Sequence, residues 1–420
     1  MILNDRPLTF GFGRSLLYLE KIKNRIVQFF IDTLLPKDSE IGALNGLRAF
    51  AIIFVLLNHY TLALRNKIAF SESLTSIYMN LWSGVDLFFV LSGFLISKGL
   101  WEDWQKESKL DFKKFYLKRA LRIFPAYYFF LSINYLIGKA MLSFSEKNNL
   151  LNEADAIRKT LSNSWGDFIF LGNYFEGLNI HTWSVSSEEQ FYLIFPLLSS
   201  LVLFKNAFKV RQCILWFLYI IPLLFRFYIL FSGDLISKAP YFKEIYHPFH
   251  TRFDSLLMGV IVMDLYFNKR ALIDTILRKR PYRLTALAFF SACIIFSFLT
   301  NQESEFWVFH TLKYNILNIG YAGFLLFAVS DSGSLLSRFL SGRIFTPIAR
   351  LSYTIYLWHF IFMGVAYKLL NFQNQDGSFL PFHGKFILTL IIVCVLSFPL
   401  YAGIELPFQK LRRRFRLNRD

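Results

Sequence analysis

Stretches of about 20 mostly apolar residues, the length that crosses a bilayer as a helix, recur along the chain with short polar segments between them. Ten fit that length, at roughly 43–64, 80–99, 123–144, 183–204, 212–231, 251–268, 284–300, 312–330, 351–369 and 385–404. The pattern predicts an all-α, polytopic transmembrane bundle of about ten spanning helices. Residues 1–40 are different: Arg14–Leu35 mixes Leu, Ile and Phe with Arg14, Lys21, Lys23 and Arg25. That suits an amphipathic helix lying on a membrane surface, and no cleavable signal peptide is expected. The chain therefore divides into a basic amphipathic segment (1–40), a membrane domain (41–407) and a basic tail (408–420).

Charge orients the bundle. The loops after the even-numbered spans, with the C-terminal tail, carry more than twice as many Lys and Arg as the opposite loops. Basic loops stay in the cytoplasm, so both termini are expected there. The longest outer segment, 145–182, exceeds a tight turn, and its semi-apolar part Phe168–Asn179 is expected to dip back toward the membrane, shielded by protein.

Composition agrees. Hydrophobic residues make up 55% of 420 positions, charged residues only 18%, and mean hydropathy is +0.40, which excludes an ordinary soluble enzyme. The net charge of +17 would suggest nucleic acid in a soluble protein. Here topology and anionic headgroups account for it, and no nucleic-acid partner is expected. Cys213, Cys293 and Cys394 sit singly in apolar runs and form neither a disulfide framework nor a metal spacing, so no metal is expected.

Ionisable residues inside spans are costly and mark function by default. Arg48 and His59 lie 11 positions apart, which is three helical turns plus about 20°, so they share one face about 16 Å apart along the axis. A guanidinium near the cytoplasmic boundary can grip a phosphate, and a deep neutral imidazole can take a proton. The alternative is a snorkelling Arg and a His that merely packs. Asp86 in span two is either hydrated at the outer boundary or a substrate contact. Arg119 and Arg122 share a helical face and could hold a phosphate, or simply mark a basic loop. Span four opens with a dense polar cluster, His181 to Tyr192, which includes Trp183, Ser184 and the adjacent carboxylates Glu188 and Glu189. Such a start suits a helix lining a cavity, with Glu188 able to orient an imidazole or an acceptor hydroxyl. Arg252 and Asp254 suggest an ion pair, structural or acceptor-binding. In span nine a stripe from Arg350 to His359 is polar, with His359 either packing or contacting substrate. Glu405-Leu406-Pro407 is expected to end span ten.

Taken in order, Arg48/His59, Gly84–Phe94 with its FFVLSGF, His181–Tyr192 and Leu351–His359, with Arg119-x-x-Arg122 and Glu405-x-Pro407, resemble the acyltransferase 3 family of bacterial membrane acyltransferases over roughly 40–410. The resemblance implies an inner-membrane enzyme that takes an acyl group, acetyl by default, from cytoplasmic acyl-CoA. Its acceptor would be a hydroxyl of a cell-surface glycan or a lipid-linked sugar. His59 would be the essential catalytic residue, with Arg48 beside it and Glu188 implicated. Asn45 stands where the family usually has Asp, and Ser187 where an aliphatic residue is common. A standalone membrane unit would transfer directly or through a separate extracytoplasmic acyl-transfer protein. On the chemistry of the residues, His59 is the candidate base or acyl carrier, Arg48, Arg119 and Arg122 the CoA grip, and Asp86, Trp183, Ser184, Arg252 and His359 the candidate substrate contacts. The rival reading is a transporter using the same polar groups without chemistry.

Overall fold

The computed structural model describes residues 41–68, 70–232, 241–300, 307–330, 334–372 and 378–417, with Gln28 and Thr33. The predicted surface helix Arg14–Leu35 therefore lies almost wholly outside the described residues, as do the last residues of the tail.

The described chain is an all-α bundle. Its helices are α1 (Gly42–Ala63), α2 (Glu72–Met79), α3 (Gly84–Glu107), α4 (Phe112–Lys147), α5 (Leu151–Asn163), α6 (Trp183–Leu198), α7 (Phe208–Ser232), α8 (Phe253–Arg278), α9 (Arg280–Leu299), α10 (Trp307–Ser330), α11 (Phe345–Leu370), α12 (Phe379–Leu400) and α13 (Leu406–Leu417). Each of the ten predicted spans falls on a helix. Seven helical stretches are long and apolar enough to cross a bilayer, and they include α1, α3, α4, α7, α9, α12 and most of α10.

The three predicted spans outside those seven are α6, which is only 16 residues long, and α8 and α11, which are less apolar and largely buried. Every residue of α8 from Asp254 to Asp264 is buried, so its polar groups meet protein and not lipid. On α11, Ser352, Thr354 and His359 are buried as well. An interior helix can be less apolar than a lipid-facing one because neighbouring helices satisfy its polar groups.

One local expectation needs correction. Pro407 does not end a helix. It occupies the first turn of α13, where its missing N–H costs nothing, and a π-turn over Tyr401–Glu405 carries the chain into it from α12. Residues 145–182 are mostly helical: α4 runs on to Lys147, α5 folds back against it, and a short turn of helix spans Trp165–Phe168.

Helix α3 crosses α8 with almost no side chain between them. A Cβ on Gly93 would stand 1.9 Å from the Leu256 main-chain oxygen, and one on Gly259 would stand 2.0 Å from that of Val90. Small residues permit such close approach in membrane bundles. Around this crossing, three buried ion pairs link α7, α8 and α3: Arg211–Asp264 at 2.6 Å, Arg226–Asp254 at 2.8 Å and Arg252–Asp86 at 2.6 Å. The Arg252–Asp254 pair suggested by sequence proximity does not form. Arg252 precedes α8 and Asp254 lies in its first turn, and each finds its partner on another helix.

Candidate functional site

A cavity of about 100 Å³ opens between α1, α3, α4, α6 and α11. One wall is apolar and comes from α3, with Val85, Phe88, Phe89, Leu91 and Leu95. The other helices contribute mainly polar groups: Arg48, Arg119 and Arg122, then Glu188 and Tyr192, then Ser184, Ser352 and Tyr356. Arg119 lies with its guanidinium 4.8 Å from the Tyr192 ring centre, and the Tyr192 hydroxyl is hydrogen-bonded to Ser92 Oγ. Glu188 is within electrostatic reach of both Arg119 and Arg122. Three cations against one lining carboxylate suit an anionic ligand. A cavity this size falls well below the roughly 300–1,000 Å³ that encloses a whole drug-sized ligand, so it takes only a slender part of one.

Tyr356 joins the cavity to a cluster of imidazoles. Its hydroxyl donates to the His181 main-chain oxygen at 2.7 Å, and Ser184 Oγ lies 2.5 Å from the same hydroxyl. A phenol has one proton, so Ser184 is the donor to it. The main-chain oxygen of Tyr356 sits 2.6 Å from His359 Nδ1, and His359 Nε2 sits 2.8 Å from His59 Nδ1. His181 Nε2 donates to the Leu357 main-chain oxygen at 3.1 Å. Phe360 covers all three rings at 4.7, 4.3 and 5.2 Å from His59, His359 and His181.

Of the residues singled out from sequence, Arg48, Arg119, Arg122, Glu188 and Ser184 line the cavity. His59 is partly exposed and joins through the His359–Tyr356 link. His59 Nδ1 is hydrogen-bonded to His359, and Glu188 lines the cavity beside the arginines. Asp86, Trp183 and Arg252 are not cavity-lining. Arg252 and Asp86 are wholly buried, and Trp82, Trp183, Tyr246 and Tyr314 surround the guanidinium at 4.0–5.7 Å. Tyr356, Tyr192, Ser92 and His181 emerge as site residues beyond those chosen. Each belongs to a polar stretch noticed in the sequence, but a hydroxyl on a packed helix carries no signal of its own.

Residues 41–402 match the family model described as an acyltransferase domain, designated acyltransferase 3. The chain belongs to this acyltransferase family. Curated relatives include a Staphylococcus aureus (strain COL) protein provisionally named an O-acetyltransferase, 28% identical over 384 residues, covering 88% of this chain and 57% of the relative. The O-acetyltransferase OatA of S. aureus (strain NCTC 8325) is 28% identical over 382 residues, with 87% and 57% covered. The chain thus spans little more than half the length of the curated acyltransferase relatives it matches. No solved structure matches it. The family match covers α1 through α12 and so includes every site residue named above. Among the described residues no His, Cys, Asp and Glu group is arranged to hold a metal ion.

Proposed function

We propose that the protein is a multi-pass O-acyltransferase of the bacterial cytoplasmic membrane, with both termini in the cytoplasm. It moves an acyl group, acetyl first among candidates, from acyl-CoA to a hydroxyl of a cell-surface glycan or its lipid-linked precursor. The observation that carries this reading is the cavity itself: arginines line it together with Tyr356, whose main chain leads to the hydrogen-bonded pair His359–His59. The family and the relatives' names support the reaction class.

The donor is long and thin between its phosphates and its thioester. Arg48, Arg119 and Arg122 would take the phosphates, Arg forks being well matched to them, while the arm lies along the apolar α3 wall. On a straight helix Arg48 and His59 stand about 16 Å apart, a span suited to an extended arm. Glu188 would hold the arginines in place by charge. His59 would take the acceptor hydroxyl's proton as the oxygen attacks the thioester carbon. The C–O bond forms, the C–S bond breaks, and the proton passes to the leaving thiolate. A positioned base of this kind contributes about 10²–10⁴-fold.

The test is acetyl-CoA binding and thiol release by the detergent-purified protein, wild type beside Arg48→Ala and His59→Ala. The reading expects Arg48→Ala to weaken binding and His59→Ala to bind donor while losing turnover. Wild-type protein with no affinity for CoA would remove the donor and, with it, the enzyme.

A further inference from the structure

The side chain of His359 is wholly buried and is not among the groups that line the cavity. What it does follows from counting protons. Its Nδ1 lies 2.6 Å from the main-chain oxygen of Tyr356, an atom that only accepts, so Nδ1 carries the hydrogen. A neutral imidazole has one N–H, which leaves the lone pair of His359 on Nε2. That nitrogen is 2.8 Å from His59 Nδ1, so His59 must donate, and its own lone pair is left on Nε2. The rings lie 4.9 Å apart between centres with planes 9° apart. With nitrogens this close, such a separation means rings set edge to edge, the geometry of an in-plane N–H···N bond.

We infer that His359 is a positioning residue that holds His59 in the Nδ1–H tautomer, so that Nε2 is the nitrogen presented to the acceptor hydroxyl. The inference rests on the reading of His59 as base. Which imidazole nitrogen is protonated is set by the hydrogen bond the other one makes, and an unassisted imidazole in water favours the proton on Nε2, the wrong tautomer for this task. His359 therefore does for His59 what a buried carboxylate does elsewhere, with no added charge inside the bundle. The main-chain oxygen of Tyr356 fixes His359 in turn, and Phe360 closes over both rings.

The experiment compares His359→Leu with His359→Gln in the full chain, purified in detergent. Acetyl-CoA is the donor and chitotetraose the added acceptor, with free thiol as readout. The glutamine side-chain oxygen falls near the position of Nε2 and can accept from His59 Nδ1–H, whereas leucine cannot. His359→Leu is expected to lower kcat ~10²-fold with KM for acetyl-CoA changed less than ~3-fold. His359→Gln should recover to within ~10-fold of wild type. Nitrogen-15 spectra of histidine-labelled wild type should show His59 protonated at Nδ1, a readout independent of turnover and of how well the leucine variant folds. Equal activity of the two variants, or a wild-type His59 protonated at Nε2, overturns the inference. Full turnover by His59→Ala would instead sink the base assignment beneath it, while the spectrum still reports the tautomer.

Discussion

The guanidinium of Arg252 reaches Asp86 at 2.6 Å, and neither side chain is exposed. The same Asp86 oxygen accepts from Ser255 at 2.8 Å, and four aromatic rings face the cation. This is an ion pair built for packing. Asp86→Ala strands a buried cation, and losses of about 3–5 kcal/mol are typical when one partner of such a pair goes. Thermal unfolding in detergent should show Asp86→Ala strongly destabilised and Asp86→Asn less so. If both variants melt with wild type, the pair is not structural.

The arginines of the cavity should separate binding from chemistry. Arg119→Ala and Arg122→Ala are each expected to raise KM for acetyl-CoA by ~10-fold with a smaller change in kcat, as loss of uniform binding requires. The penalty should shrink as salt is raised, since screening already weakens the wild-type contact. Initial rates across donor and salt concentrations decide it.

Asp167, on the short helical turn Trp165–Phe168, gives a pH signature. Its side chain is buried, Oδ1 accepts from Thr182 at 2.7 Å, and its main-chain oxygen accepts from the Tyr127 hydroxyl at 2.9 Å. Burial pushes its carboxyl up to about 7. The folded state therefore keeps a proton that the unfolded chain releases near the usual carboxylate value of about 4. Native protein binds more protons in that window, so stability falls as pH rises from about 4 to 7 and levels off above it. Asp167→Asn keeps an acceptor for Thr182 and cannot ionise. Melting curves should show it gaining on wild type above pH 7, by on the order of 4 kcal/mol, and matching it near pH 4.

The helices were legible in the sequence because lipid enforces their length and apolarity. Arg48, Arg119, Arg122 and Glu188 were legible too, since charge within an apolar run is rare and needs a reason. Partnership was not. His359 is 300 positions from His59, and Asp86 is 166 from Arg252. Local pattern offered Asp254 to Arg252, and tertiary packing overruled it. Arg226, which takes Asp254, reads in sequence as an isolated charge in span five.

The α3–α8 crossing should tolerate no added methyl. In Gly93→Ala or Gly259→Ala the new carbon would meet a main-chain oxygen and not a side chain that could turn aside. Overpacking of this kind costs about 1–3 kcal/mol. Both variants should melt below wild type, while Gly99→Ala on the same helix, where a methyl has open space, should not.

That crossing also makes the cavity lopsided. Its apolar wall belongs to α3, clamped backbone to backbone against the buried stretch of α8, and so behaves as an anvil. The facing helices are less regular. Pro125 interrupts α4, and Pro196 in α6 is followed by a π-turn over Ser199–Leu203, each breaking the regular hydrogen-bond ladder. A donor too bulky for the resting cavity would be admitted by yielding on that side, where Arg119, Arg122, Glu188 and Tyr192 ride. The groups that grip the ligand would then travel with it, while the surface it slides along stays still.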